Sequence, residues 1–119
     1  MSTVKFNTWQ NTDGTENYKC RAWLQYNQYT DTVVGMAGIT SVSDLATGIY
    51  QVNLANTMPD TAYTVIASNG AGGGGTDCGA CGVETNGYSY TTTSFVVESG
   101  NASTGGNQDR IYNSVAVFR

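Results

Sequence analysis

Residues Tyr18–Asn27 read YKCRAWLQYN, and their alternation decides the class of fold. Tyr18, Cys20, Ala22, Leu24 and Tyr26 fall on one side of an extended chain and Lys19, Arg21, Trp23 and Gln25 on the other, the two-residue period of a half-buried strand. The first set is assigned to the core and the second to an outward face. The same period returns in GIYQVNLANTMPDTAYTVIAS, Gly48–Ser68. There Tyr50, Val52 and Leu54 point inward, Met58-Pro59-Asp60 turns the chain, and Tyr63, Val65 and Ala67 continue on a return strand predicted to pair antiparallel with the first. In the closing stretch Ile111, Asn113, Val115 and Val117 alternate with Tyr112, Ser114, Ala116 and Phe118.

The remaining segments follow the same grammar less cleanly. Val4, Phe6 and Thr8 share one face of a strand over Val4–Trp9, which an Asp13-Gly14 turn ends. Val33–Val42 reads as one strand interrupted by Gly35 and Gly38, marks of a bulge or of a close backbone approach. Between Asn69 and Gly87 the chain reads NGAGGGGTDCGACGVETNG, too glycine-dense for a packed core, so residues 70–87 are expected to be a surface loop or insertion. Tyr88–Glu98 resumes the strand pattern, and Ser99–Asp109 reads as a second polar loop. No stretch keeps a helical period. The expectation is an all-β chain, a single domain over residues 1–119, built as an antiparallel β-sandwich or barrel-like domain of about seven strands.

Composition narrows the partners. A chain of 119 residues and 12.6 kDa is one domain, and folding buries somewhat under ~70% of its surface, so subunit contacts would add stability. Charged residues make up 12% against ~25% in an average soluble domain, the surplus going to turn, strand and hydroxylated residues. With five Lys and Arg and a net charge of -4, no basic patch for phosphates is in prospect, and no nucleic-acid partner is predicted. No stretch approaches the ~20 apolar residues of a membrane span, so membrane insertion is not predicted either. The start, MSTVKFNTWQ, lacks the blocks of a signal peptide, which predicts synthesis in a cytoplasm.

Catalytic chemistry has little to work with. The chain has no histidine, which removes Ser-His, Cys-His and metal-His arrangements. Cys78-Gly-Ala-Cys81 has the spacing of half a zinc site, but Cys20 is on the face assigned to the core, so no metal site is predicted within one chain. The pair also lacks the strand-to-helix setting of a redox motif and is read as two loop thiols, open to a disulfide or to pairing between subunits. The glycine run lacks the Lys of a phosphate loop. Asp13, Asp44, Asp60 and Asp109 stand where carboxylates cap turns, and neither a catalytic residue nor a cofactor is predicted. Recognition is instead assigned to the loop and its flank: Asn69, Asp77, Cys78, Cys81, Tyr88 and Tyr90. Trp9 and Trp23, on outward faces, are assigned to a subunit interface.

Four motifs in order, YKCRAWLQYN, Gly48–Val52 as Gly-x-Tyr-x-Val, Met58–Tyr63 as Met-Pro-Asp-x-x-Tyr, and Val115–Arg119 as VAVFR, carry a resemblance. The chain resembles the domain that ends many tail-fibre and other virion structural proteins of tailed bacteriophages, marine and cyanophage types especially. The resemblance runs from about residue 6 to 68 and from about 92 to 119, and leaves the glycine-rich segment as an insertion. It implies a virion protein that assembles as a homotrimer, contacts other tail or capsid proteins, and meets host surface glycan. A capsid decoration or cement protein is the alternative it leaves open, and a polysaccharide-degrading spike a distant one.

Overall fold

The computed structural model describes residues 2–5, 10, 12–13, 19–70, 79–83 and 87–119. Eight strands form: β1 (Cys20–Asn27), β2 (Thr32–Ala37), β3 (Ile39–Ala46), β4 (Ile49–Leu54), β5 (Thr64–Gly70), β6 (Gly79–Val83), β7 (Ser94–Asn101) and β8 (Tyr112–Phe118). They make two four-stranded antiparallel sheets, ordered β2-β1-β8-β5 and β3-β4-β7-β6, packed as a β-sandwich, with no helix among the described residues. Alternation does what it predicts in β1, β4 and β8, whose inward sets Ala22, Leu24 and Tyr26, then Tyr50, Val52 and Leu54, then Val115 and Val117, are all buried. With Phe95 and Val97 they meet between the sheets. The Tyr26 and Tyr50 rings cross at 5.1 Å, joining the two layers at one end.

Several expectations change. Val33–Val42 is two strands in different sheets. Gly38 separates them with φ +69°, and a Cβ there would stand 2.4 Å from the Arg21 carbonyl oxygen, so the turn needs glycine. The predicted pairing across Met58-Pro59-Asp60 does not form, because β4 lies between β3 and β7 while β5 pairs with β8. The connection crosses between layers: Met58 is buried, its N–H donates to the Thr92 carbonyl, and Asp60 ion-pairs with Arg119 at 2.7 Å just past β8. Arg119 and the Ala62 N–H hold the Asp60 carboxyl below its usual range.

Within the segment expected to be all loop, Asn69 and Gly70 end β5, and residues 79–83 form β6, paired with β7 from Gly79↔Asn101 to Val83↔Val97. Ser99–Asn101, expected in a polar loop, belongs to β7, and Tyr88–Thr93 precedes that strand. Cys20 is exposed, not in the core, because a register shift between Cys20 and Ala22 turns it out of line. Asp44 sits within β3, not at a turn. Residues 2–5 carry no strand and Val4 is exposed, while 6–9, with Trp9, and Tyr18 lie outside the described residues.

Candidate functional site

The end of the sandwich where β7 runs out is organised by buried polar side chains. Gln28 continues the inward period of Leu24 and Tyr26, and its Nε2 donates to Asp44 Oδ1 and to the Ala46 carbonyl, both at 3.2 Å. Asn113 heads the inward set of β8 and donates from Nδ2 to the carbonyls of Tyr26 and Arg110, at 3.2 and 2.9 Å. Arg110, only 3% exposed, donates from Nη2 to the Gly100 carbonyl at 3.0 Å. These bonds fasten the β7–β8 connection to both sheets. Its tip is closed by Gly105 N–H donating to the Asn101 carbonyl, by Asn101 N–H donating to the Gly106 carbonyl, and by Ser103, whose N–H and hydroxyl both donate to Asn101 Oδ1.

Under this pinned loop lies a cavity of about 400 Å³, within the ~300–1,000 Å³ of small-ligand sites. Glu98, Asn101 and Asn107 supply its polar side chains, and Gly82, Gly100 and Gly106 open it by having none. Asn101 Oδ1 is already bonded to Ser103, so the Asn107 carboxamide supplies a donor and an acceptor beside the Glu98 carboxylate, a lining suited to a neutral hydroxylated ligand and poor for an anion. Among the described residues no three His, Cys, Asp or Glu side chains come together as a metal site.

The residues assigned to recognition do not converge. Asp77 and Cys78 lie outside the described residues. Asn69 stands opposite Asn113, and Cys81 borders the cavity. Tyr90, expected at an exposed surface, stacks on Tyr63 at 4.4 Å and donates its hydroxyl to the Tyr63 carbonyl. That places it near Phe95, whereas Cys81 pairs with Ser99, four residues or ~13 Å along β7. Tyr88 is half-buried. Asn101 and Asn107 stand in a polar run with no periodic signal and Glu98 merely ends the Tyr88–Glu98 strand pattern, so nothing in the sequence joins them, whereas Asn113 already stands in the inward set of β8 and Gln28 follows from extending the period two of β1.

Cys81 packs against the core with its sulfur beside the Tyr50 hydroxyl, and burial pushes the thiol up from 9.0 to about 11. Burial, and then Cys81, also push Tyr50 upward. A group whose folded pKa is raised binds its proton more tightly in the folded state, so its contribution is complete below the unfolded value and lost as pH climbs through the folded one. The melting temperature should therefore fall between pH 9 and 11, and further beyond pH 10 as buried Tyr26, Tyr50 and Tyr63 resist ionisation. Cys81→Ala should flatten the first part of that decline. A parent protein with unchanged melting across the window would contradict this.

Trp23 keeps its outward place and is 46% exposed. Register sets it in a row, Ala37–Trp23–Ala116–Ile66, that crosses all four strands of its sheet on the outer face. The next row is Gly35–Gln25–Ser114–Ser68, and no side chain in either row is charged. Comparison of the chain with protein-family models, with curated proteins and with solved structures finds no match.

Proposed function

We propose that the chain is a bacteriophage virion structural protein of the tail-fibre type, assembled as a homo-oligomer at the particle surface, where it attaches to a host receptor of glycan character. The observation that carries this reading is the pair of uncharged rows across the outer face of β2-β1-β8-β5, with Trp23 and Ile66 exposed in the first of them and Tyr112 exposed beyond the second, while Arg21 marks the face's charged end. In a chain of net charge -4, an apolar row of this width fits a protein partner better than open solvent. The four ordered motifs in β1, β4, the Met58–Tyr63 crossing and β8 point the same way. Asn107 on the pinned loop, facing Glu98 and Asn101 of β7 across the cavity, is the group that would meet a sugar there. Repetition over a particle multiplies such a weak site by ~10²–10⁴ in avidity.

The apolar face alone favours a second form of the reading, a decoration or cement protein whose face seats on the capsid or tail. Competition separates the two. Excess purified protein should slow adsorption of virions to host cells if the chain binds receptor, and Asn107→Ala in the competitor should weaken that inhibition. Unimpeded adsorption at saturating protein would remove the receptor role and leave the cement form.

A further inference from the structure

The two long sides of the sandwich differ. Along one side β5 runs against β6, so those edges cover each other. Along the other, β2 and β3 part at Gly38, and among the described residues each pairs with one neighbour, β2 with β1 and β3 with β4. This open side collects apolar surface. Tyr29, Val34, Met36 and Leu45 are 62%, 65%, 42% and 42% exposed, half of the exposed large hydrophobic residues among those described. Met36 is the most informative. It stands opposite Leu24, which is 2% exposed, so Met36 belongs to the core side of the sheet and is bare because nothing of β3 reaches over it.

Strand β2 reads TVVGMA, without a charge or a proline. Natural sheet edges are normally blunted by Lys, Pro, bulges or a covering segment. Among the described residues the one such device is the register shift between Gln25 and Tyr26 that leaves Val34 without a partner on β1. An unpaired apolar edge of this kind is a template for another strand.

We propose that this edge is a self-association surface: β2 of one chain pairs antiparallel with β2 of a second copy about a two-fold axis, extending the sheet from four strands to eight. A copy is the occupant that the charge pattern favours. Two chains of net charge -4 repel elsewhere, and β2 is a strand on which they can meet with no charge opposed to charge. Antiparallel pairing of identical strands also matches each backbone donor to an acceptor by symmetry. Trp23 belongs to the same contact, since its ring overlies Gly35, where a Cβ would lie 3.1 Å from the ring. The partner strand lies along the edge that this ring flanks.

The size of the contact sets its strength. A six-residue strand is ~20 Å long, and with Trp23, Tyr29 and Leu45 beside it the contact stays below the ~800 Å² per partner of a standard interface, so association is expected in the micromolar range. A two-fold contact gives dimers or even-numbered assemblies, where the resemblance to fibre proteins implied three-fold ones. It depends on no phage role.

Sedimentation velocity on the full chain across the micromolar range is the test. The parent should pass from monomer to dimer with concentration. Val34→Lys and Met36→Lys each place like charges near the two-fold axis and should weaken dimerisation at least ~10-fold, with the melting temperature showing that each variant is folded. Ser68→Lys, on the opposite edge strand, should dimerise like the parent. A parent that stays monomeric throughout would overturn the proposal. So would a trimer, or any oligomer that Val34→Lys and Met36→Lys leave intact. A monomeric parent would also remove the homo-oligomer from the proposed function, but none of these outcomes touches adsorption or particle association, so the virion and receptor roles stand or fall separately.

Discussion

Gly48→Ala should destabilise the protein by ~3–5 kcal/mol, combining the ~1–2 kcal/mol of a left-handed alanine with the loss of buried hydrogen bonds at ~1 kcal/mol or more each. Gly48 turns β3 into β4 with φ +69°. A Cβ there would stand 2.3 Å from the Ser99 carbonyl oxygen and 2.5 Å from the Gln108 nitrogen. Both are backbone atoms that cannot rotate away. The residue is also clamped on both sides, its N–H donating to Asp109 Oδ1 and its carbonyl accepting from Ser99 N–H, each at 2.7 Å. Making room breaks those bonds and lifts the hairpin from β7. In a domain of this size the melting temperature should drop by ~10–20 °C. Gly82→Ala is the control, because its Cβ would meet nothing within 4 Å. If Gly48→Ala melts within a few degrees of Gly82→Ala, the packing of the β3–β4 turn against Ser99 and Gln108 is not as described.

Tyr50→Ala should cost a similar ~3–5 kcal/mol, the usual penalty for emptying an aromatic site in a core. The ring is fully buried and meets Tyr26 across the two layers, so its loss leaves a cavity where the sheets join. Tyr50→Phe should fall within ~1 kcal/mol of the parent, because the lost hydroxyl had no strong partner. Among the described residues that hydroxyl has no oxygen or nitrogen partner, and its neighbour is the weakly bonding Cys81 thiol. Urea unfolding of both variants separates the ring from its hydroxyl. A Phe variant as unstable as the Ala variant would mean the hydroxyl, not the ring, holds this end of the core.

What the chain's pattern reveals follows from the range of each signal. Alternation is local, so β1, β4 and β8 and their inward residues are legible directly. Pairing is not local. Tyr50–Leu54 and Tyr63–Ala67 look like a hairpin because nothing nearby in sequence says that Asp60 ends on Arg119 or that Met58 plugs the gap between layers. Gly38 was recognisable as a site of backbone crowding, but only the Arg21 carbonyl over it shows that the chain changes sheet there. Strand β6 is invisible for the opposite reason: GACGV has weak strand propensity, and β7 holds it in place.

The site was less legible than the fold. The glycine cluster around Cys81 and Tyr90 predicts a surface for both, yet Cys81 packs on the core beside Tyr50 and Tyr90 stacks on Tyr63. Glu98, Asn101 and Asn107 come together because the β7–β8 connection is drawn back over β7, by buried Arg110 bonded to Gly100 and by backbone bonds from Asn101 to Gly106 and from Gln108 to Ser99. A buried arginine cannot be read from one sequence, since arginine is among the residues least often found inside. The outward exposure of Trp23 follows from one strand's period, while the row it belongs to needs the register of three strand pairs.

The proposed virion role requires that a phage encode this chain, and quantitative mass spectrometry of that phage's purified particles tests it most directly. The chain should co-purify with the particles through a density gradient at a fixed ratio to the major capsid protein. A low fixed ratio would match a fibre tip, and a ratio comparable to that of the capsid protein would match a decoration protein. Recovery of the chain only in the soluble lysate, with none on particles, would contradict the proposal in both forms.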